Sequence, residues 1–261
     1  MRLALALEYD GRAFCGWQSQ SSGCAVQDAL ERALQAVAGA PVSAVAAGRT
    51  DAGVHATAQV VHVDAPAERP ATAWVRGVNA SLPAPVAVLW AQPVDAAFHA
   101  RFAATARHYS YLLLQRSARP ALLAGRVGWY HRPLDAAAMD DACGVLRGTH
   151  DFSAFRAAEC QARSPVKTLH RASVAADGPL LRFDFSADAF LHHMIRNLVG
   201  ALVRIGAGKA DAAWLARVLA DRDRRQAPAT FAPDGLYFTG ADYDARFGLP
   251  PTRRDIAVPV A

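Results

Sequence analysis

The chain has 261 residues, of which 52% are hydrophobic and 20% charged. This composition excludes an intrinsically disordered chain, which would lack the apolar side chains to bury, and the length admits one large domain or two of roughly 100–150 residues. The net charge of +5 is uneven: residues 1–105 carry 7 basic and 8 acidic groups, whereas residues 106–261 carry 21 and 15. A basic second half hints at an anionic partner. Of the 28 cations 26 are arginines, so nearly every positive group is a planar guanidinium suited to bidentate phosphate contacts. Codon bias in a G+C-rich genome accounts more simply for the arginines and for the 59 alanines. Cys15, Cys24, Cys143 and Cys160 have no C-x-x-C spacing and make no disulfide framework, so reduced thiols in a cytoplasm are expected. The N-terminal apolar stretch ends at Glu8, too short for a secretory signal, and no run of about 18 uncharged apolar residues is present to span a membrane.

In chain order, Leu3, Leu5 and Leu7 alternate with Arg2, Ala4, Ala6 and Glu8, which reads as a strand. Val26, Leu30, Leu34 and Val37 recur at helical spacing, and Gly39 and Pro41 stop that helix. Two β-rich runs, Val42 to Ala46 and Gln59 to Asp64, flank the segment Gly48 to His55. Ala71 to Asn79 is a second helix, closed by Leu82-Pro83, and Val86 to Ala91 a further strand. The order β-α-β-β-α-β is the ferredoxin-like, RRM-like pattern, an antiparallel sheet with helices on one face. The second half repeats it. His108 to Gln115 alternates as a strand, and Asp135 caps a helix that runs to Leu146. His170 to Ala176 and Leu180 to Ser186 form a hairpin around Asp177-Gly178-Pro179. A long helix spans Ala189 to Ile205, another Asp211 to Ala220, and Leu236 to Ala241 is a last strand. The fold class is therefore α+β, in two βαββαβ halves: 1–105, 106–249 and a tail, 250–261, expected to fray. The join lies near Ala103 to Ala106, and Arg222 to Asp234 is a polar loop.

Three clusters carry chemistry. The loop Gly48-Arg49-Thr50-Asp51-Ala52-Gly53-Val54-His55-Ala56 sets an arginine two residues before an aspartate, so both side chains point the same way in extended backbone. A guanidinium beside a carboxylate keeps it ionised, and an oriented ionised aspartate can be a nucleophile, a general base or a metal ligand. An Asx-turn with a local ion pair is the structural alternative. The second cluster runs from Arg101-Phe102 to Arg107-His108-Tyr109-Ser110-Tyr111, with Tyr109 and Tyr111 on one strand face. An exposed tyrosine beside an arginine is how single-stranded RNA bases are stacked; a cross-strand aromatic pair in the core would look the same. In the third, Phe190 to Asn197, helical spacing pairs His192 with Arg196 and His193 with Asn197, a polar face lining a cleft or facing solvent. H-E-x-x-H is absent, which argues against zinc. There is also no Walker A, G-x-G-x-x-G or G-x-S-x-G motif.

The loop Gly48 to Ala56 resembles the active-site motif of the tRNA pseudouridine synthase A family. So do Tyr9-Asp10-Gly11 with Gly16-Trp17-Gln18, Asn79 to Pro83, Phe98 to Phe102, Tyr109 to Tyr111, Asp151 to Arg156 and Phe190 to Asn197. The matches are collinear from residue 9 to about 240. The resemblance implies conversion of uridine to pseudouridine at positions 38, 39 and 40 of the tRNA anticodon stem-loop, by a homodimer that needs no cofactor and no metal. It places the catalytic aspartate on Asp51, its partner arginine on Arg49 and the active-site tyrosine on Tyr109. Arg49, Tyr109, His55, Arg101, His192 and Arg196 are then candidates to hold the RNA. Two positions depart from the pattern: Cys15, where an aromatic is frequent, and His108, where a basic residue is. Isomerisation breaks the C1′–N1 bond and joins C5 to C1′ without loss of a group or exchange of electrons. Asp51 can serve by adding to C6, by capturing C1′, or by stabilising charge there while a 2′ proton leaves. Two other classes account for less: a non-catalytic RNA-binding protein leaves Asp51 unexplained, and a small-molecule hydrolase using Asp51 and His55 lacks a nucleophile elbow or a metal set.

Overall fold

The computed structural model describes residues 1–66 and 68–256. In chain order the elements are β1 (Arg2–Tyr9), α1 (Val26–Ala38), β2 (Ala44–Ala46), β3 (His55–Asp64), α2 (Ala71–Ser81), β4 (Val86–Pro93), β5 (Ala104–Gln115), β6 (Gly128–Tyr130), α3 (Ala136–Leu146), β7 (Gly148–Asp151), β8 (Val166–Asp177), β9 (Leu180–Ala187), α4 (Met194–Gly206), α5 (Ala212–Asp221) and β10 (Leu236–Tyr243). They form two compact units. One runs from Met1 to Arg107 and takes up the chain again from Tyr237; the other is His108–Leu236.

The first unit has the β-α-β-β-α-β order read from the sequence, in the strand order β4-β1-β3-β10. β1 pairs antiparallel with both β3 and β4, and α1 and α2 pack on each other. Leu3 to Leu7 are all fully buried, alanines included, so the Leu/Ala alternation in β1 is not a division between core and solvent. Asp28 accepts the N–H of Ala25 at the start of α1, and Gly39, in the left-handed region, closes it by donating to Gln35 O. β3 begins at His55, four residues before the run of β-formers that announces it. Its outer edge is shared: β2 pairs antiparallel with Val61 to Val63, and β10 pairs parallel with His55 and Ala56. The last strand, which the sequence places in the second half, thus completes the first unit.

The tail expected to fray is pinned through Arg254. Arg253 bridges Gly240, Arg254 N–H donates to Thr239 O, Trp90 Nε1 donates to Pro251 O, and the Arg254 guanidinium meets Glu8 at 2.8 Å. Residues 257–261 lie outside the described residues. Cys15 and Cys24, expected as thiols, are joined in a disulfide across the loop after β1, where Cys15 N–H also donates to Cys24 O; Cys143 and Cys160 are buried free thiols.

In the second unit the strand order is β5-β9-β8-β7, with β6 parallel on β5. The β8–β9 hairpin turns at Asp177 to Leu180 as read, and the Asp135 side chain caps α3 through Ala138 N–H. The short strands β6 and β7 escaped the sequence reading because three or four residues carry no periodicity. The long helix expected from Ala189 begins only at Met194. His193 sits before it with φ 61°, which breaks the helical path, so His192 and Arg196 do not share a helix face. The polar loop after α5 is anchored. The Arg224 guanidinium donates to Ala227 O, Pro228 O and Asn197 Oδ1, while the buried Asn197 amide donates to Phe155 O.

Among the titrating groups of the first unit, His62 is 5% exposed, and its Nδ1 accepts the Ala100 N–H at 3.1 Å. Burial, with His99 and Arg2 adding to it, lowers its pKa to about 4. In the unfolded chain the same imidazole titrates near 6.5. Between those values unfolding takes up a proton, so the stabilisation is whole above pH 6.5 and is lost as the pH falls toward 4. Thermal unfolding across that range is expected to show a falling midpoint, and His62→Asn, which keeps an acceptor but cannot titrate, is expected to flatten it.

Candidate active site

β2 is only three residues long, so the chain leaves the sheet after Ala47 N–H has bonded to Val60 O, and returns at His55. The intervening loop is closed by a tight turn in which Val54 N–H donates to Asp51 O, with Gly53 at φ 79°. Its other contacts come from the segment after β1. Trp17 N–H donates to Thr50 O at 2.9 Å, and Gly11 N–H donates to His55 Nδ1 at 3.1 Å. A Cβ on Gly11 would lie 2.1 Å from Val54 O. Gly16, at φ 105°, would place one 2.9 Å from Thr50 O and 3.3 Å from the Asp51 carbonyl carbon. Two backbones therefore meet here at a distance that a side chain at either glycine would prevent.

From beneath, Gln59 Nε2 donates to Gly48 O at 2.7 Å and Tyr9 Oη bonds Thr50 Oγ1 at 2.9 Å. At the side, Arg107 Nε donates to Ala47 O. The result is a loop held at Ala47, Gly48, Thr50, Val54 and His55, with the Asp51 side chain half-buried and the Arg49 side chain exposed. Arginine–carboxylate pairs of this unit join Arg2 to Asp64, Arg12 to Asp10 and Arg254 to Glu8, and His55 Nδ1 lies 3.3 Å from Asp10 Oδ1; none of these engages Arg49. The Arg12 guanidinium holds the Asp10 carboxyl below its usual range. His55, expected to contact substrate, is 3% exposed; its ring stacks on Tyr237 of β10 with centroids 4.6 Å apart. Arg101 is exposed on a separate loop, its guanidinium over the Phe102 ring, which in turn stacks on His99 at 4.3 Å.

The remaining sequence candidates belong to the second unit. Tyr109 lies on β5, only 8% exposed, and meets Phe190 edge to face at 5.2 Å. It is less exposed than expected, with a small part of its surface left open. Tyr111 is wholly buried and its hydroxyl donates to Ala232 O, a core role. His192 is exposed just ahead of α4, its ring 4.0 Å from that of His193. Arg196, on α4, is half-buried and donates through Nε to Phe231 O. Tyr109 thus meets Phe190, two residues before the His192–His193 pair in the chain, while Arg49, Asp51 and His55 share one loop of the first unit. Sequence reasoning missed the support Gln59, which reads as an ordinary strand residue, and gave Tyr9 no role beyond its place in a motif; only pairing across β1 and β3 shows what their polar ends reach.

A profile of the tRNA pseudouridine synthase family matches residues 5–103 and 142–244 of the chain. The chain is 59% identical over 261 residues, the whole of both proteins, to the tRNA pseudouridine synthase A of Methylobacillus flagellatus. It is 61% identical over 250 residues, 96% of each, to that of Thiobacillus denitrificans, and 60% identical over 255 residues, 98% and 97%, to that of Dechloromonas aromatica.

The close approach at Gly11 yields a direct check. Gly11→Ala must push the Val54 carbonyl aside, an overpacking that costs about 1–3 kcal/mol. The thermal midpoint is expected to fall by roughly 3–10 °C at the sensitivity of a chain of this size. An unchanged midpoint would contradict the clamp.

Proposed function

Because the chain belongs to the tRNA pseudouridine synthase A family, we propose that it acts on uridines 38, 39 and 40 of the tRNA anticodon stem-loop, with Asp51 as nucleophile. The enzyme is an isomerase that converts uridine in tRNA to pseudouridine. The observation that carries the residue assignment is the clamped loop, which fixes a half-buried carboxylate from several backbone contacts while leaving Arg49 exposed beside it in sequence.

The chemistry follows from those two side chains and Tyr109. The target base is stacked or paired, so it must be turned out of the helix at a cost of a few kcal/mol. Arg49 is long and planar enough to fill the place it vacates. Asp51 then adds to C6 or C1′, or stabilises charge at C1′ as the 2′ proton leaves. The uracil, released from C1′–N1, rotates and rejoins through C5. Tyr109 stacks on the uracil and its phenol moves the C5 proton late in the sequence. We assign His55 to support of the loop rather than to the RNA, in keeping with its burial. Arg101, His192 and Arg196 are assigned to the RNA backbone, since backbone contacts set register without reading sequence. No helix among the described residues is long and apolar enough to cross a membrane. We place the reaction in the cytoplasm, with the tRNA.

Substitutions at Asp51 and Tyr109 test the roles together. Asp51→Asn is nearly isosteric and is expected to keep the fold and tRNA affinity while turnover falls at least about 10³-fold, within the range for loss of a nucleophile. Retention of a tenth of the parent activity would remove Asp51 from the mechanism. Tyr109→Leu should lose the stacking, about 1–3 kcal/mol, and Tyr109→Phe should lose on the order of 10²-fold if the phenol moves the proton. Normal turnover by Tyr109→Phe would refute the proton role alone.

We further propose a working homodimer. One copy carries its excess of cations in residues 106–261 only, and a second copy widens the basic surface available to an L-shaped tRNA. With five to eight phosphate contacts, log K against log salt is expected to have a slope of roughly −4 to −7. A flat response from a species that sediments as a monomer would overturn the dimer and leave the Asp51 chemistry standing.

A further inference from the structure

The polar network beneath the Asp51 loop has a definite direction. Gln59, wholly buried on β3, points Nε2 at Gly48 O (2.7 Å) and at Tyr9 Oη (3.4 Å). The carbonyl at Gly48 can only accept, so the amide is fixed with its nitrogen toward the loop. Tyr9 Oη, accepting from Gln59, has its one proton left for Thr50 Oγ1 at 2.9 Å. The two side chains, on paired strands β1 and β3, therefore hold Gly48 and Thr50, the residues on either side of Arg49 and directly before Asp51. Tyr9 and Thr50 are themselves buried, at 4% and 7% exposed.

This arrangement is not the one that best serves the core. Among the described residues Gln59 Oε1 is buried with no hydrogen-bond partner. An orphaned buried acceptor opposes folding, and an apolar side chain of similar length would remove that penalty. The nitrogen of the amide serves the loop instead.

We propose that Gln59 and Tyr9 are positioning residues for the reaction: acting through Gly48 and Thr50, they set where the Arg49–Asp51 segment presents its side chains, at the expense of stability. The proposal rests on the reading of Asp51 as the catalytic carboxylate. Displacement of a reacting group by about 1 Å can cost 10²-fold in rate, whereas the surfaces that grip the rest of the tRNA are untouched. The consequence is a split between turnover and binding that a general packing role would not produce.

The experiment compares the parent enzyme, Gln59→Met, Tyr9→Phe and Asp51→Asn on unmodified tRNA, with kcat, KM and thermal midpoint measured for each. Gln59→Met removes the orphaned Oε1 but also the donor to Gly48 O and Tyr9 Oη, so it is expected to move the midpoint little, lower kcat about tenfold or more and leave KM within about twofold. Tyr9→Phe, which deletes one oxygen, should lower kcat at least about threefold with KM likewise held. Parent-like kcat in either variant overturns the proposal, as does a rise in KM at constant kcat. A Gln59→Met chain that fails to fold also overturns it, because the amide would then be serving the core. Full activity in Asp51→Asn would instead withdraw the premise, and that outcome is read from its own variant.

Discussion

The Asp51 loop has little secondary structure of its own, and what holds it is the contact of its backbone with the backbone of the segment after β1. Gly11 lies against Val54 O and Gly16 against Thr50 and Asp51, each so close that a methyl group would collide. Removing side chains at those points lets peptide groups bond directly, Trp17 to Thr50 and Gly11 to the His55 ring. Glycine's conformational freedom in the unfolded chain makes such a contact expensive in entropy. The cost is offset by fixing a carboxylate on a loop, the part of a protein otherwise least able to hold a group still. The disulfide between Cys15 and Cys24 closes the same segment on itself, immediately before Gly16. Reducing the freedom of the segment that does the clamping acts in the same direction as the clamp.

Much of this was legible in the sequence because it is local. Helix α1 announces itself by spacing and by Gly39, the β8–β9 hairpin by Asp177-Gly178-Pro179, and the Asp51 loop by glycines, a charge pair and flanking strands. The family resemblance located Asp51 and Arg49, and the geometry supplied what a motif lacks, the reason that loop stays in one shape. Non-local facts were not legible. The pairing of β10 with β3 brings together Tyr237 and His55, and no periodicity reports a partner so distant in the chain. The start of α4 was misread for a different reason. Ala189 to Ile205 has helical spacing throughout, but His193 adopts a left-handed backbone, a choice made by tertiary contacts such as His192 N–H to Cys160 Sγ and Ala157 N–H to His192 O.

The arginine content also reads differently once the partners are known. Arg107, Arg116, Arg147, Arg156 and Arg224 donate to backbone carbonyls, and Arg2 does the same while pairing with Asp64. A guanidinium has five donors in a fixed plane and satisfies loop carbonyls that no neighbouring strand reaches. These groups still contribute to the field that attracts an anion, yet part of their donor set is already used. Count of cations and capacity to grip phosphate are therefore separate quantities, and exposed groups such as Arg49 and Arg101 weigh more in the second than their number suggests.

The return of the chain to the first unit orders events during synthesis. β1 to β4, the Asp51 loop and its clamp leave the ribosome long before β10, so the nascent first unit waits without the strand that covers the outer edge of β3 at His55 and Ala56. Until Tyr237 arrives, the His55 ring that receives the Gly11 N–H lacks the tyrosine that stacks on it. The intervening second unit must emerge in the meantime, and a hydrogen-bonding strand edge left open for that long is a template for wrong pairing. A chain released short of residue 237 carries Arg49, Asp51 and Tyr109 but lacks the ring that stacks on His55, so the last strand is needed to complete the packing at the end of the Asp51 loop.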